Sequence, residues 1–175
     1  MNCLIPITNT FSDIRRALPV LNSLNELIEM LSNHKYDISK MVPSILDLVS
    51  SYPFSIKSFP LIEKGYSRTI LHREPNGFEV MVARWSRHAK TPIHGHPGFS
   101  VLYLIEGELS EQSFIKEKDQ PIGIDSRIIS TGDYSCDKGV DGRFDNAIHQ
   151  IRATQESLSL HIYSDDALKG EIYPT

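Results

Sequence analysis

Cysteine, tryptophan and net charge are all scarce in this chain of 175 residues, and no long apolar run occurs. Two cysteines, Cys3 and Cys136, cannot build a disulfide framework, so a reducing cytoplasm is expected. The 18 basic against 22 acidic residues leave a formal charge of −4 and no basic footprint for a nucleic acid. The apolar stretch Cys3-Leu4-Ile5-Pro6-Ile7 is too short to span a bilayer, lacks a basic lead-in and contains a proline, so no membrane association is expected. Ten glycines and ten prolines are an ordinary share, which excludes collagen-like and disordered chains. A small domain that acts as an enzyme or a ligand binder is what remains.

One compositional boundary divides the sequence, near residues 53–60. Before it, apolar residues recur at helical spacing, first Leu21, Leu24, Leu27, Ile28 and Leu31, then Ile38, Met41, Val42, Ile45, Leu46 and Val49. Asp37 suits the N-cap of the second helix, and Pro43 falls within its first turns. After Pro60 the period changes to two. Segments 66–73, 78–85, 99–106, 109–116, 147–152 and 157–164 are short, β-branched or aromatic, and separated by Pro-Asn-Gly, Pro-Gly, Glu-Gly and Gly-Asp turn signals. This pattern predicts an antiparallel barrel or jelly roll over 60–175, with a mostly helical region, 1–58, packed on its outside, all as one domain of residues 1–175.

Three groups of residues carry chemistry. His94-Gly95-His96 places two imidazoles at i and i+2, on one face of a strand, where they can converge on an ion. By itself such a pair is weak evidence. The run from His94 to Gly107 has the spacing of the first cupin motif, but Ser100 stands where that motif has its glutamate. His149, in a good strand after the turn Gly132-Asp133, is the candidate third ligand, six residues beyond the usual spacing. Three imidazoles suit iron, zinc, copper or nickel, and without a fourth protein ligand they leave positions open for chemistry. The second group is Ser159, His161 and Tyr163, alternating with Leu158, Leu160 and Ile162. It reads equally as an inward hydrogen-bonded ladder, Ser159 to His161 to Tyr163, or as the outward side of a strand with the leucines inside. The third is Tyr66 with Arg68 on one strand face. An inward arginine without an internal carboxylate suits a substrate carboxylate, and a surface ion pair is its bland alternative.

Together these blocks resemble cysteine dioxygenase, the thiol dioxygenase branch of the cupins. The resemblance runs from Tyr66 to Ser164 on Gly65-Tyr66-Ser67-Arg68, Trp85, Pro92-Ile93-His94-Gly95-His96, Glu106-Gly107, Ile148-His149 and Ser159-Leu160-His161-Ile162-Tyr163. It implies a cupin jelly roll holding one mononuclear Fe(II) on His94, His96 and His149, with dioxygen as co-substrate. Arg68, helped by Tyr66, would bind the substrate carboxylate, and Tyr163, supported by His161 and Ser159, would stand beside the bound thiol and oxygen. The reaction implied is oxidation of L-cysteine to cysteine sulfinic acid. The cysteine that some relatives cross-link to the tyrosine is replaced here by Ser100, so no thioether can form. Alternatives are a related thiol such as 3-mercaptopropionate, or a non-catalytic metal-holding cupin that binds a small carboxylate. A monomer is expected, with a small-molecule thiol as its only partner.

Overall fold

A computed structural model describes residues 25, 26, 28, 29, 37–51, 54–75 and 77–174 of the chain. Two compact units divide it, residues 1–55 and 56–175. In the first unit, Asn25, Glu26, Ile28 and Glu29 are helical, and the rest of the expected first apolar stripe lies outside the described residues. Helix α1 spans Ile38–Ser51. Asp37 caps it as expected: its carboxylate accepts from the Ser39 N–H at 3.1 Å, satisfying one of the orphan donors of the first turn. Met41, Ile45 and Leu48 are buried at spacings of four and three residues, whereas Leu46 is exposed. The buried stripe therefore runs through Leu48 and not through the expected Leu46.

The second unit is built of ten strands: β1 (Tyr66–Arg73), β2 (Glu79–Trp85), β3 (Ile93–His96), β4 (Phe99–Glu106), β5 (Glu108–Glu117), β6 (Gln120–Ser130), β7 (Tyr134–Lys138), β8 (Asn146–Ala153), β9 (Ser157–Tyr163) and β10 (Ile172–Tyr173). They form two five-stranded sheets in the orders β1-β2-β9-β4-β7 and β10-β3-β8-β5-β6, every pairing antiparallel. Sequential strands switch sheets at every step from β2 to β10 except β5–β6, the connectivity of a jelly roll of the cupin type.

Between the sheets, Ala83, Leu102 and Leu104 of one meet Leu109, Ile129 and Ile151 of the other, with Trp85 completing a dry core. All seven residues of β9 are buried, so both its faces are covered and the question of which side of it is wet disappears. At Gly107, which joins β4 to β5, φ is +101° and an added Cβ would lie 2.3 Å from Ser157 Oγ; only glycine fits this turn.

Candidate metal centre

Strand β3 carries His94 and His96, and β8 carries His149 directly across from His94 in the strand register. A register shift between His94 and His96 brings the two imidazoles and His149 into a nearly equilateral triangle, with ring centroids 4.5 to 4.8 Å apart. Their ligand nitrogens all lie within 4.8 Å of one another. Gly95 is required between the two ligands because a Cβ there would stand 2.4 Å from the Phe144 carbonyl oxygen. The long connection before His149 is thus packed against the ligand strand. Asn146 fastens it, donating to the carbonyls of His96, Val140 and Arg143 while accepting from the Val140 N–H.

Hydrogen bonds decide which nitrogen each ring offers. His94 Nδ1 lies 3.0 Å from the Pro92 carbonyl, which can only accept, so Nδ1 carries the proton and Nε2 holds the lone pair. His149 Nδ1 lies 2.6 Å from Glu111 Oε1, with the same consequence. His96 Nε2 is 2.7 Å from His149 Nε2, and its Nδ1 has no partner among the described residues. Three imidazole nitrogens gathered this closely in a buried site, two with their lone pairs fixed toward the centre, fit a cation that prefers nitrogen ligands.

Glu111 is the residue that spacing missed. It sits on β5 with 3% of its surface exposed, and besides His149 it accepts from Arg127 Nε at 2.6 Å and from Ser135 Oγ. Burial alone would raise its pKa, but the hydrogen bonds from His149 and Arg127 outweigh that and hold it at about 2. An ionised, doubly anchored carboxylate behind His149 raises the basicity of that ligand and fixes its ring. The only sequence signal for it is a charged residue at an inward position of 109–116.

Opposite the histidines, β9 presents its ladder. Ser159 Oγ lies 2.7 Å from His161 Nε2, and His161 Nδ1 lies 2.9 Å from the Tyr163 hydroxyl. Trp85 Nε1, which can only donate, bonds Ser159 Oγ at 2.8 Å. The polarity of the chain follows. Ser159 is fully buried and its bonded neighbours here are the Trp85 donor and His161, so its proton goes to His161 Nε2. His161 then donates from Nδ1 to Tyr163, whose own hydroxyl proton is left to face outward from the ladder. The Tyr163 ring stacks on His96 at 5.3 Å, and Ser100 lies directly across from Tyr163 in the register of β4 and β9. Burial pushes the Tyr163 phenol up and pulls His161 down to about 3, so this relay is neutral at ordinary pH.

Tyr66, Arg68, the three histidines, His161 and Tyr163 line a single cavity of about 120 Å³. Tyr66 stacks on Trp85, with centroids 4.5 Å apart. The condition set on Arg68, that no internal carboxylate pair with it, is not met: Nη2 donates to Glu79 Oε1 at 2.7 Å, and Nε faces the Met81 sulfur at 3.0 Å. Glu79 is fully buried, and its other oxygen takes Arg73 Nε at 2.6 Å. Glu79 therefore holds Arg68 by one corner of the guanidinium, and Nη1 is unengaged among the described residues.

These buried neutral imidazoles make stability depend on acidity. Burial is the first cause that lowers His94 to about 4 and His161 to about 3, below the ordinary value for histidine. A lowered folded-state pKa means that the unfolded chain binds the extra protons first. The metal-free chain is expected to be at full stability above about pH 6.5 and to lose roughly 1.4 kcal/mol per pH unit per imidazole as the pH falls toward 4. Urea titrations from pH 7.5 to 4.5 measure this, and a flat profile above pH 5 would show that these rings titrate normally.

No family model and no curated protein matches the chain. Among solved structures it is similar to a cupin superfamily protein of Desulfitobacterium hafniense (14% identity, 63% of this chain and 87% of the other, TM-score 0.48). It is also similar to KdgF of a Halomonas species (19%, 60% and 83%, TM-score 0.43) and to an RmlC-like cupin of Shewanella frigidimarina (16%, 58% and 77%, TM-score 0.45). By strand order and sheet pairing, the second unit has the cupin jelly-roll fold, and its three clustered histidines could hold a metal ion.

Proposed function

We propose that the chain is an Fe(II)-dependent thiol dioxygenase that converts L-cysteine and dioxygen to cysteine sulfinic acid, R–SH + O2 giving R–SO2H. The observation that carries this reading is the neutral Trp85–Ser159–His161–Tyr163 relay beside the three-histidine cluster, with Arg68 in the same small cavity. Iron on His94, His96 and His149 would supply the redox chemistry and favour the thiolate form of the substrate. The rest falls to the chain. Arg68 Nη1 would take one carboxylate oxygen, with Tyr66 beside it in the wall. The Tyr163 hydroxyl, its oxygen already accepting from His161, is a donor aimed away from the ladder and can hold a substrate or oxygen atom by hydrogen bond. Met81, Ala83 and Ile151 form an apolar lining that limits water around the reacting atoms.

The test is oxygen uptake by Fe(II)-loaded protein given L-cysteine, 3-mercaptopropionate or cysteamine. Uptake matched one-to-one by cysteine sulfinate, and weak with the other two, is the expected result. Preference for 3-mercaptopropionate would keep the chemistry and change the substrate. No uptake with any thiol, iron being verified in the site, would leave a metal-holding cupin that binds a small ligand.

A further inference from the structure

Strand β6 is the open edge of its sheet, eleven residues long, and all but two of its residues are exposed at the surface. Natural edges of this length are normally shortened, covered or blocked; here Pro121 and a bulge at Ile124, where the register with β5 slips between Asp125 and Gly123, guard the first half of the strand and leave Asp125–Ser130 regular. Five of the large apolar side chains exposed on this unit gather around that edge: Ile115, Ile122, Ile124, Ile128 and Tyr134. The sequence at its centre, Ile124-Asp125-Ser126-Arg127-Ile128, is charge-complementary about Ser126, with an isoleucine at each end and Asp125 and Arg127 on either side.

We propose that the partner of this edge is a second copy of the chain, paired β6 to β6 antiparallel about a twofold axis at Ser126. Antiparallel pairing on that axis sets Asp125 against Arg127 of the second copy, twice, and brings Ile128 to the bulged Ile124, twice. An isologous contact needs this self-complementarity, and opposite charges directly across a ladder stabilise it. At the axis, Ser126 faces its own twin as a hydrogen-bonded pair, exchanging two N–H···O=C bonds. In the single chain the Ser126 N–H is satisfied by a stand-in, the Asp125 carboxylate at 2.8 Å. On pairing, that N–H passes to a backbone carbonyl, and the carboxylate is released toward the arginine opposite, which keeps Glu111 and Ser135 on Nε and Nη2 and has Nη1 left to donate.

A second observation fits the same partner. A cavity of about 700 Å³ is walled by Asp125 and Arg127 of β6 and by Cys136 and Asp137 of β7, and it reaches back to Glu111 and His149. Both β6 and β7 end their sheets, so this gap opens at the unpaired side of the barrel. A second copy on β6 lies across its rim. The two jelly rolls then share one continuous ten-stranded sheet. This departs from the monomer expected on sequence, and it is independent of the reaction proposed above.

Sedimentation across the micromolar range tests it, with three variants. Wild-type protein is expected to run as a dimer. Ser126→Pro removes the N–H that the axis uses twice, in a position where an edge strand tolerates proline, and Ile128→Lys sets a charge against Ile124. Both are expected to be monomers with unchanged metal content and a melting temperature independent of concentration. In a Cys3→Ser, Cys136→Ser background, Ser126→Cys is expected to cross-link on mild oxidation, because a hydrogen-bonded pair sets Cα atoms about 5.5 Å apart, within disulfide reach. Ile122→Cys, whose twin lies about 26 Å away along the strand, is expected not to. A wild-type monomer at all concentrations, a dimer that survives Ser126→Pro, or equal cross-linking by both cysteines would overturn the proposal.

Discussion

With iron as the proposed metal, His149→Ala is expected to leave purification with almost none, whereas Glu111→Gln retains iron with an affinity lowered about 10–100-fold. The two differ because they sit one bond apart along the same line of force. His149 offers Nε2 to the centre only because its Nδ1 proton is held by Glu111 at 2.6 Å. Removing the ring deletes a ligand from a set of three, and the remaining His94 and His96 cannot close a face around an ion. Replacing Glu111 by glutamine keeps an acceptor for Nδ1 but removes the charge that strengthens the imidazole. It also leaves Arg127, which donates to the same carboxylate, beside a neutral amide. Metal content by elemental analysis, with an Fe(II) chelator competition for the affinity, measures both. Full iron retention in His149→Ala would remove His149 from the ligand set. If Glu111→Gln equalled wild type, Glu111 would be only a structural partner of Arg127.

How much of this was legible depends on where each residue lies in its sheet. Segments 66–73 and 99–106 match β1 and β4 residue for residue, because Gly65, Pro97-Gly98 and Gly107 punctuate their ends. The boundaries of 78–85 and 157–164 differ from β2 and β9 by one residue at one end, and those of 109–116 and 147–152 from β5 and β8 by one residue at each end. Strand β6 was missed for a physical reason: an exposed edge needs no apolar alternation, and Pro121, Gly123 and Asp125 argue locally for a loop. At the site, His94, His96, His149, Arg68, Tyr66, His161 and Tyr163 do come together in one cavity. What spacing could not supply was the cross-strand company of these residues. Glu79 faces Tyr163 across β2 and β9, and Glu111 faces Ile151, two residues from the His149 it bonds, contacts set by register between strands far apart in sequence. Trp85 was noticed as part of a pattern, but its part in fixing the polarity of the relay needed the 2.8 Å contact to Ser159.

Arg68→Ala is expected to raise KM for L-cysteine by roughly 10–150-fold, the equivalent of a charge-assisted hydrogen bond of about 1.5–3 kcal/mol, with iron content unchanged. The complication is Glu79. It is fully buried and takes Arg68 Nη2 with one oxygen and Arg73 with the other, so the alanine variant leaves one carboxylate oxygen without its donor. That loss costs stability, about 1–3 kcal/mol, whatever the substrate is. Cysteamine separates the two effects, since it shares the thiol and amine of cysteine and has no carboxylate. If Arg68 binds the carboxylate, KM rises for cysteine and hardly moves for cysteamine, so the preference between them collapses. A matched rise for both would mean that Arg68 serves Glu79 and the wall of the cavity, and that the substrate is oriented by something else. Arg68→Lys sharpens the comparison: an ammonium can still pair with Glu79, but it cannot hold Glu79 and a substrate carboxylate in the planar geometry of a guanidinium. It should restore melting while recovering little of the lost KM, and recovery of both together would reduce the anchor to a point charge.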